Sequence, residues 1–103
     1  MPISGDVYSF TDENLDKAPD TAGVYALFDG DELIYIGRAR GGTTTIRSRL
    51  KDHKAGRDGP CTRSATKYSR ETCQDPVARE RTLLQEYKNG HWQRLPRCNE
   101  VMP

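Results

Sequence analysis

Two short apolar runs, Val24-Tyr25-Ala26-Leu27-Phe28 and Leu33-Ile34-Tyr35-Ile36, flank the polar triplet Asp29-Gly30-Asp31. Each run is too short for a helix and rich in strand formers, and Asp-Gly is a turn signal. Together they predict an antiparallel hairpin bounded by Gly23 and Gly37. Further along, Ile46, Leu50 and His53 fall at i, i+4 and i+7 and predict a helix. Thr44 or Thr45 suits its N-cap and Gly56 its stop. Residues 56–65 hold two glycines and a proline among mostly polar neighbours and read as a loop. Thr66 to Cys73 reads as a third strand. Asp75-Pro76 then supplies an N-cap and a first-turn proline for a last helix, whose apolar face is Val77, Leu83, Leu84 and Tyr87. Before the hairpin, Thr11 ahead of Asp12, Glu13 and Leu15 resembles the cap and acidic first turn of a short helix. The order ββαβα, with one uncertain element before it, predicts an α+β fold: a small three-stranded antiparallel sheet flanked by helices.

At 103 residues the chain has the size of one domain, and it shows neither repeats nor a low-complexity linker. No apolar stretch approaches the ~18 residues of a membrane span. Residues 1–10 lack the basic and apolar regions of a signal peptide, so a cytoplasmic location is expected. Cys61, Cys73 and Cys98 form no CxxC pair and leave one over in any disulfide scheme, which predicts free thiols. With His91 they offer no zinc spacing.

The net charge of +1 conceals a block pattern. Residues 1–37 carry a net −7, residues 38–70 a net +8, and residues 71–103 balance. A basic block of this kind suits a polyanion such as the phosphate backbone of a nucleic acid. Its candidate contacts are Arg38, Arg40, Lys51, Lys54, Arg57, Arg63, Lys67 and Arg70. The plain reading is a solvated basic helix and loop beside an acidic, solubilising face.

Individual residues sharpen the chemistry. Arg49 and His53 lie four apart and share a helix face, whereas Arg47 is turned roughly 200° away. Beside an apolar seam a guanidinium can hold a phosphate through two hydrogen bonds and stabilise charge on its oxygens. Glu80 sits in the middle of the last helix's apolar stripe. A carboxylate there costs several kcal/mol unless it is paired or binds a metal. The bland alternative is a buried ion pair, with Arg49 the obvious partner.

The triplets Gly23-Val24-Tyr25 and Tyr35-Ile36-Gly37, nine residues apart, resemble those of the GIY-YIG nuclease family, with valine at the centre of the first. The resemblance continues in order through Ala39, Arg49 and His53 on a helix, Glu80 on a later helix and Asn99, and spans residues 23–99. It implies a GIY-YIG-like domain over those residues, an acidic extension at 1–22 and a tail at 100–103. The implied activity is a metal-dependent endonuclease hydrolysing phosphodiester bonds of DNA, single- or double-stranded. Tyr25 or Tyr35, assisted by His53, would activate water, with Arg49 and one Mg²⁺ or Mn²⁺ stabilising the transition state. Glu80 would be that ion's sole protein ligand, and Asn99 would support the site. The family arrangement implies Tyr25 directly opposite Tyr35, with Phe28 facing Glu32 across a three-residue Asp29-Gly30-Asp31 loop. A two-residue Asp29-Gly30 loop would send the tyrosines to opposite faces. Two departures stand out. Gly41-Gly42-Thr43-Thr44 lengthens the link to the catalytic helix, and no separate DNA-binding domain accompanies the nuclease. The implied enzyme is then either nonspecific or structure-selective, a single-strand preference being one form of this, or takes its specificity from a protein partner or a homodimer. The alternatives are a non-catalytic nucleic-acid-binding or scaffold module, and a subunit active only within a larger assembly.

Overall fold

The computed structural model describes Ile3 and residues 6–100. Its elements are β1 (Tyr8–Ser9), α1 (Asp12–Asp16), β2 (Gly23–Asp29), β3 (Glu32–Ala39), α2 (Ile46–Lys54), α3 (Pro60–Arg63), β4 (Lys67–Thr72) and α4 (Pro76–Gly90). The strands form one antiparallel sheet in the order β1-β4-β2-β3. The fold is α+β, as expected, but the sheet has four strands rather than three. Two residues of β1, Tyr8 and Ser9, pair with Tyr68 and Lys67 of β4. A strand that short has no periodicity to read. The loop expected at 56–65 also contains α3, which starts at Pro60.

Strand β2 lies between two neighbours and is covered on both faces, which is why Val24 to Phe28 is a continuous apolar run rather than an alternation. On one face Tyr25 and Leu27 pack with Leu15 of α1, Ile46 and Leu50 of α2, and Tyr68 of β4. On the other, Val24, Ala26 and Phe28 meet Ile36 of β3 and Leu83 and Leu84 of α4. Phe10, Leu15 and Ala18, from the stretch expected as an extension, belong to the first of these cores. Val77, expected on the buried face of α4, is 39% exposed, while Pro76 and Glu80 are buried with Leu83 and Leu84. Residues 101–103 of the expected tail lie outside the described residues.

The helix caps follow the sequence. Thr11 accepts from the Asn14 N–H at the start of α1. Thr45 and Ser48 form a reciprocal capping box on α2. The Asp75 carboxylate accepts from the Ala78 N–H on α4.

The hairpin register corrects the expectation. Tyr25 pairs with Gly37, and Tyr35 with Leu27; the strand ends pair Phe28 with Leu33 and Asp29 with Glu32. The loop is therefore the two residues Gly30-Asp31, with Gly30 at φ 61°. A short loop alone would put the tyrosines on opposite faces. A β-bulge at Leu27/Phe28 leaves Ile34 as an extra residue on β3 and shifts the parity by one. Ile34 and Tyr35 both pack on the α1/α2 core, so the tyrosines share a face as diagonal neighbours instead of an opposite pair.

Two glycines are explained by close approach. A Cβ on Gly37 would lie 2.5 Å from the Tyr25 hydroxyl and 2.7 Å from the Tyr35 ring. The Tyr25 ring can therefore lie across Gly37. A Cβ on Gly23 would fall 2.3 Å from the Glu71 carbonyl of β4 and 2.6 Å from the Ile46 side chain.

The segment after α4 docks on β3, the sheet edge. Cys98 N–H donates to the Ile34 carbonyl at 2.7 Å. Asn99 Oδ1 accepts from the Ile36 N–H and its Nδ2 donates to the Ile36 carbonyl, both at 2.9 Å. Asn99 thereby pairs with the β3 edge as a neighbouring strand would. This docking brings Cys98 to Cys61 of α3, and the two form a disulfide; Cys73 is the free cysteine. The expectation of three free thiols is corrected, because the pairing depends on a contact between residues 37 positions apart.

Candidate active site

Helix α2 lies over the tyrosine face of the hairpin and presents Arg49 and His53 to it. His53 is fully buried. Its Nε2 lies 2.8 Å from the Tyr25 hydroxyl and its Nδ1 lies 2.9 Å from the Thr62 hydroxyl. The Tyr35 ring centroid is 4.9 Å from the imidazole and 6.2 Å from the Tyr25 ring. Burial, reinforced by the nearby Arg49 charge, pushes the His53 pKa down to about 4, with Asp58 and Asp52 opposing the shift. The imidazole is neutral at pH 7 and carries one N–H. The Asp58 carboxylate 3.5 Å from Nδ1 favours the tautomer with the proton there, donating to Thr62, which leaves Nε2 to accept from the Tyr25 phenol. Burial raises the Tyr25 phenol far above its ordinary value, with Arg49 pulling the other way; Tyr35 is raised more gently for the same reasons.

Arg49 stands in a cleft of about 260 Å³ lined by Tyr25, Tyr35, Arg38, Arg40, Thr44 and Glu80. Its guanidinium is held from behind by two carboxylates, Asp58 Oδ2 at 2.7 Å and Asp52 Oδ2 at 3.4 Å. Asp58 also lies 3.5 Å from His53 Nδ1. Sequence reasoning missed Asp58 and Thr62. Both lie between α2 and β4, where no periodicity marks a face, and the Asp58-Gly59-Pro60 turn is the one local signal. A neighbouring cleft of about 610 Å³ is lined by Tyr35, Arg38, His53, Asp58, Glu80 and Asn99 among others. Tyr35, Arg38 and Glu80 form the wall common to both.

Glu80, 5% exposed, reaches this wall from α4. Its partner is Arg38, whose Nη1 lies 2.6 Å from Oε1, and not Arg49 as the bland alternative had it. Adjacent β3 faces α4 there, whereas Arg49 is engaged by its own acids. As for a metal, among the described residues no three of His, Cys, Asp and Glu gather in one place. That donor set does not suit Zn²⁺. A single carboxylate at a wet cleft does fit a hard cation that keeps most of its water and borrows phosphate oxygens, as Mg²⁺ does. Glu80 would be the residue holding it, in exchange with Arg38.

The basic block separates in space. Arg38, Arg40 and Arg49 meet at the cleft. Lys51, Lys54 and Arg57 line another concavity together with Asp12 and Asp16. Lys51 pairs with Asp16, Arg57 with Asp52 and Lys67 with Asp31. Lys54 lies over the Phe10 ring and Arg70 over Tyr8, while the Arg63 stem packs beside Gly56. Arg47, turned away from the face of Arg49 and His53, donates to the Ala18 carbonyl at 2.9 Å. The acidic and basic blocks thus interleave through Asp16 and Asp31, and the eight candidate contacts do not form a single stripe.

No family model, curated protein or solved structure matches this chain. Among the described residues, no helix is long and apolar enough to cross a membrane.

Proposed function

We propose that this chain is a metal-dependent endonuclease of the GIY-YIG type that hydrolyses phosphodiester bonds of DNA. One observation carries the reading. Tyr25 of β2, Tyr35 of β3, Arg49 of α2 and Glu80 of α4 line one cleft, with neutral His53 bonded directly behind Tyr25. Titratable groups whose pKa values are displaced by burial and by a specific charge, gathered at a cleft, mark a functional site.

In this reading a scissile phosphate enters the cleft between Arg49, Arg40 and Glu80. Tyr35, in the wall common to both clefts, orients the attacking water. The buried Tyr25–His53 pair takes up the proton that the water gives up, with His53 Nε2 as its acceptor, while Thr62 and Asp58 hold the imidazole from the Nδ1 side. Arg49 stabilises charge developing on the phosphate oxygens. A divalent ion on Glu80, Mg²⁺ or Mn²⁺, would supply charge neutralisation at the leaving oxygen. Asn99 supports the site by bracing Ile36, the residue between Tyr35 and Gly37.

Two of the three arginines that line the cleft are already paired, Arg38 with Glu80 and Arg49 with Asp52 and Asp58. This favours a second reading, a nuclease subunit whose cations are released only when a partner docks. Nicking of supercoiled DNA by the isolated chain, with Mg²⁺ and with chelator, tests both. Mg²⁺-dependent nicking supports the free enzyme. Tight binding without nicking favours the subunit or a non-catalytic module, and failure to bind DNA overturns the nucleic-acid reading.

A further inference from the structure

Trp92 is the single tryptophan of the chain and is 93% exposed. It is held out by an uncommon backbone: Trp92 and Gln93 have φ of 58° and 62°, the described non-glycine residues with positive φ. Side chains with a Cβ enter this region only where the surroundings enforce it. Here the Gln93 N–H donates to the Lys88 carbonyl at 2.8 Å, and the His91 N–H to the same carbonyl at 3.1 Å. The His91 ring stacks on Tyr87 at 3.7 Å, nearly parallel. The turn is thus fixed from both sides, and the indole is presented rather than merely unburied.

Its surroundings identify the ligand chemistry. Residues 87–99 contain Lys88, Arg94 and Arg97 and no acid, Arg97 being paired with Asp29. Among the described residues the other large exposed hydrophobics are Val7 and Val77, and Val77 lies at the opposite end of α4. An isolated indole without an apolar surround makes a poor protein hot spot, which needs neighbours that exclude water. With Lys88 and Arg94 four residues before and two residues after it in the chain, it suits an unpaired nucleobase, which stacks on the indole while the cations meet the phosphates. The turn and the cleft are carried by the same stretch of chain. Glu80 and Gly90 stand ten residues apart on α4, about 15 Å along its axis, and the chain beyond Trp92 returns to the cleft wall at Asn99.

We propose that Trp92, flanked by Lys88 and Arg94, is a stacking site for single-stranded nucleic acid entering or leaving the cleft. The proposal rests on the nucleic-acid reading above and adds a preference for an unpaired strand. Because Trp92 is the one indole, its emission reports on the site directly. The full chain, in chelator so that nothing is cut, is titrated with a labelled oligothymidine and with a duplex closed by loops at both ends. Anisotropy of the label follows binding. The expected result is quenching of Trp92 emission that saturates with anisotropy for the single strand and is weak for the closed duplex. Trp92→Ala should weaken single-strand binding about tenfold, and Trp92→Phe should restore most of it. Anisotropy that rises with unchanged emission overturns the stacking site, leaves the nuclease reading intact and points to a protein partner for Trp92. Equal quenching by the closed duplex also overturns it. Absence of any anisotropy change removes both readings.

Discussion

Replacing Glu80 by glutamine keeps the volume of the side chain and deletes one charge, so it separates a metal-holding carboxylate from a structural counter-charge. The structure sets the size of each effect. Glu80 is 7% and Arg38 24% exposed at the side chain, and they meet at 2.6 Å. Breaking a fully buried pair from one side costs ~3–5 kcal/mol. Here the amide oxygen of glutamine still accepts from Arg38, and Arg38 lines clefts that water enters. The expected cost is therefore about 1–2 kcal/mol, or roughly 5–15 °C in Tm for a domain of this size. If Glu80 holds the cation, the lost charge stabilisation should lower the cleavage rate at least ~100-fold. The assay pairs thermal unfolding without metal with single-turnover nicking in Mg²⁺, well below the Tm of the variant, and with DNA binding by anisotropy. Arg38→Gln is the control, since it breaks the same pair and leaves the carboxylate. Folded Glu80→Gln protein that cuts at the wild-type rate would refute the metal assignment. A Tm unchanged in both variants would refute the view that the pair contributes to stability.

Buried neutral His53 makes stability depend on pH with a definite sign. The unfolded chain takes up a proton near 6.5 that the native imidazole refuses until about 4, so stability is full above 6.5 and falls as pH drops through that window, by up to about 3 kcal/mol. Urea unfolding across pH 4–7 should show this slope in the wild type and lose it in His53→Gln; parallel curves would count against it. Gly37→Ala pushes a methyl into the Tyr25 and Tyr35 rings and should cost about 1–3 kcal/mol along with most of the cleavage; an unchanged Tm would contradict the ring-over-glycine geometry. Asp58→Asn removes the nearest negative charge from Arg49. DNA binding measured by anisotropy should tighten several-fold while the single-turnover rate falls, and an unaltered Kd would show that Asp58 does not compete with phosphate.

Local signals made much of the architecture legible. The hairpin runs, the Thr45 cap, the Asp75-Pro76 start of α4 and the burial of Glu80 all follow from spacings within one or two turns of chain, where backbone geometry alone dictates which positions share a face. The triplets and the order of Arg49, His53, Glu80 and Asn99 were visible through their resemblance to a family pattern, which is linear along the chain. What tertiary structure decided is how distant pieces meet. The tyrosines share a face because of a bulge, and a bulge answers to packing on both sides of β3 rather than to the turn residues. Arg38 rather than Arg49 neutralises Glu80, since β3, not α2, runs beside α4. Asp58 and Thr62 reach His53 because the chain turns back after α2 and α3. Cys61 finds Cys98 only once the segment after α4 docks on the sheet edge. The charge blocks, contiguous in sequence, interleave in space through pairs such as Lys51–Asp16 and Lys67–Asp31, because opposite charges attract across whatever elements the core brings together, and a one-dimensional tally carries no record of which those are.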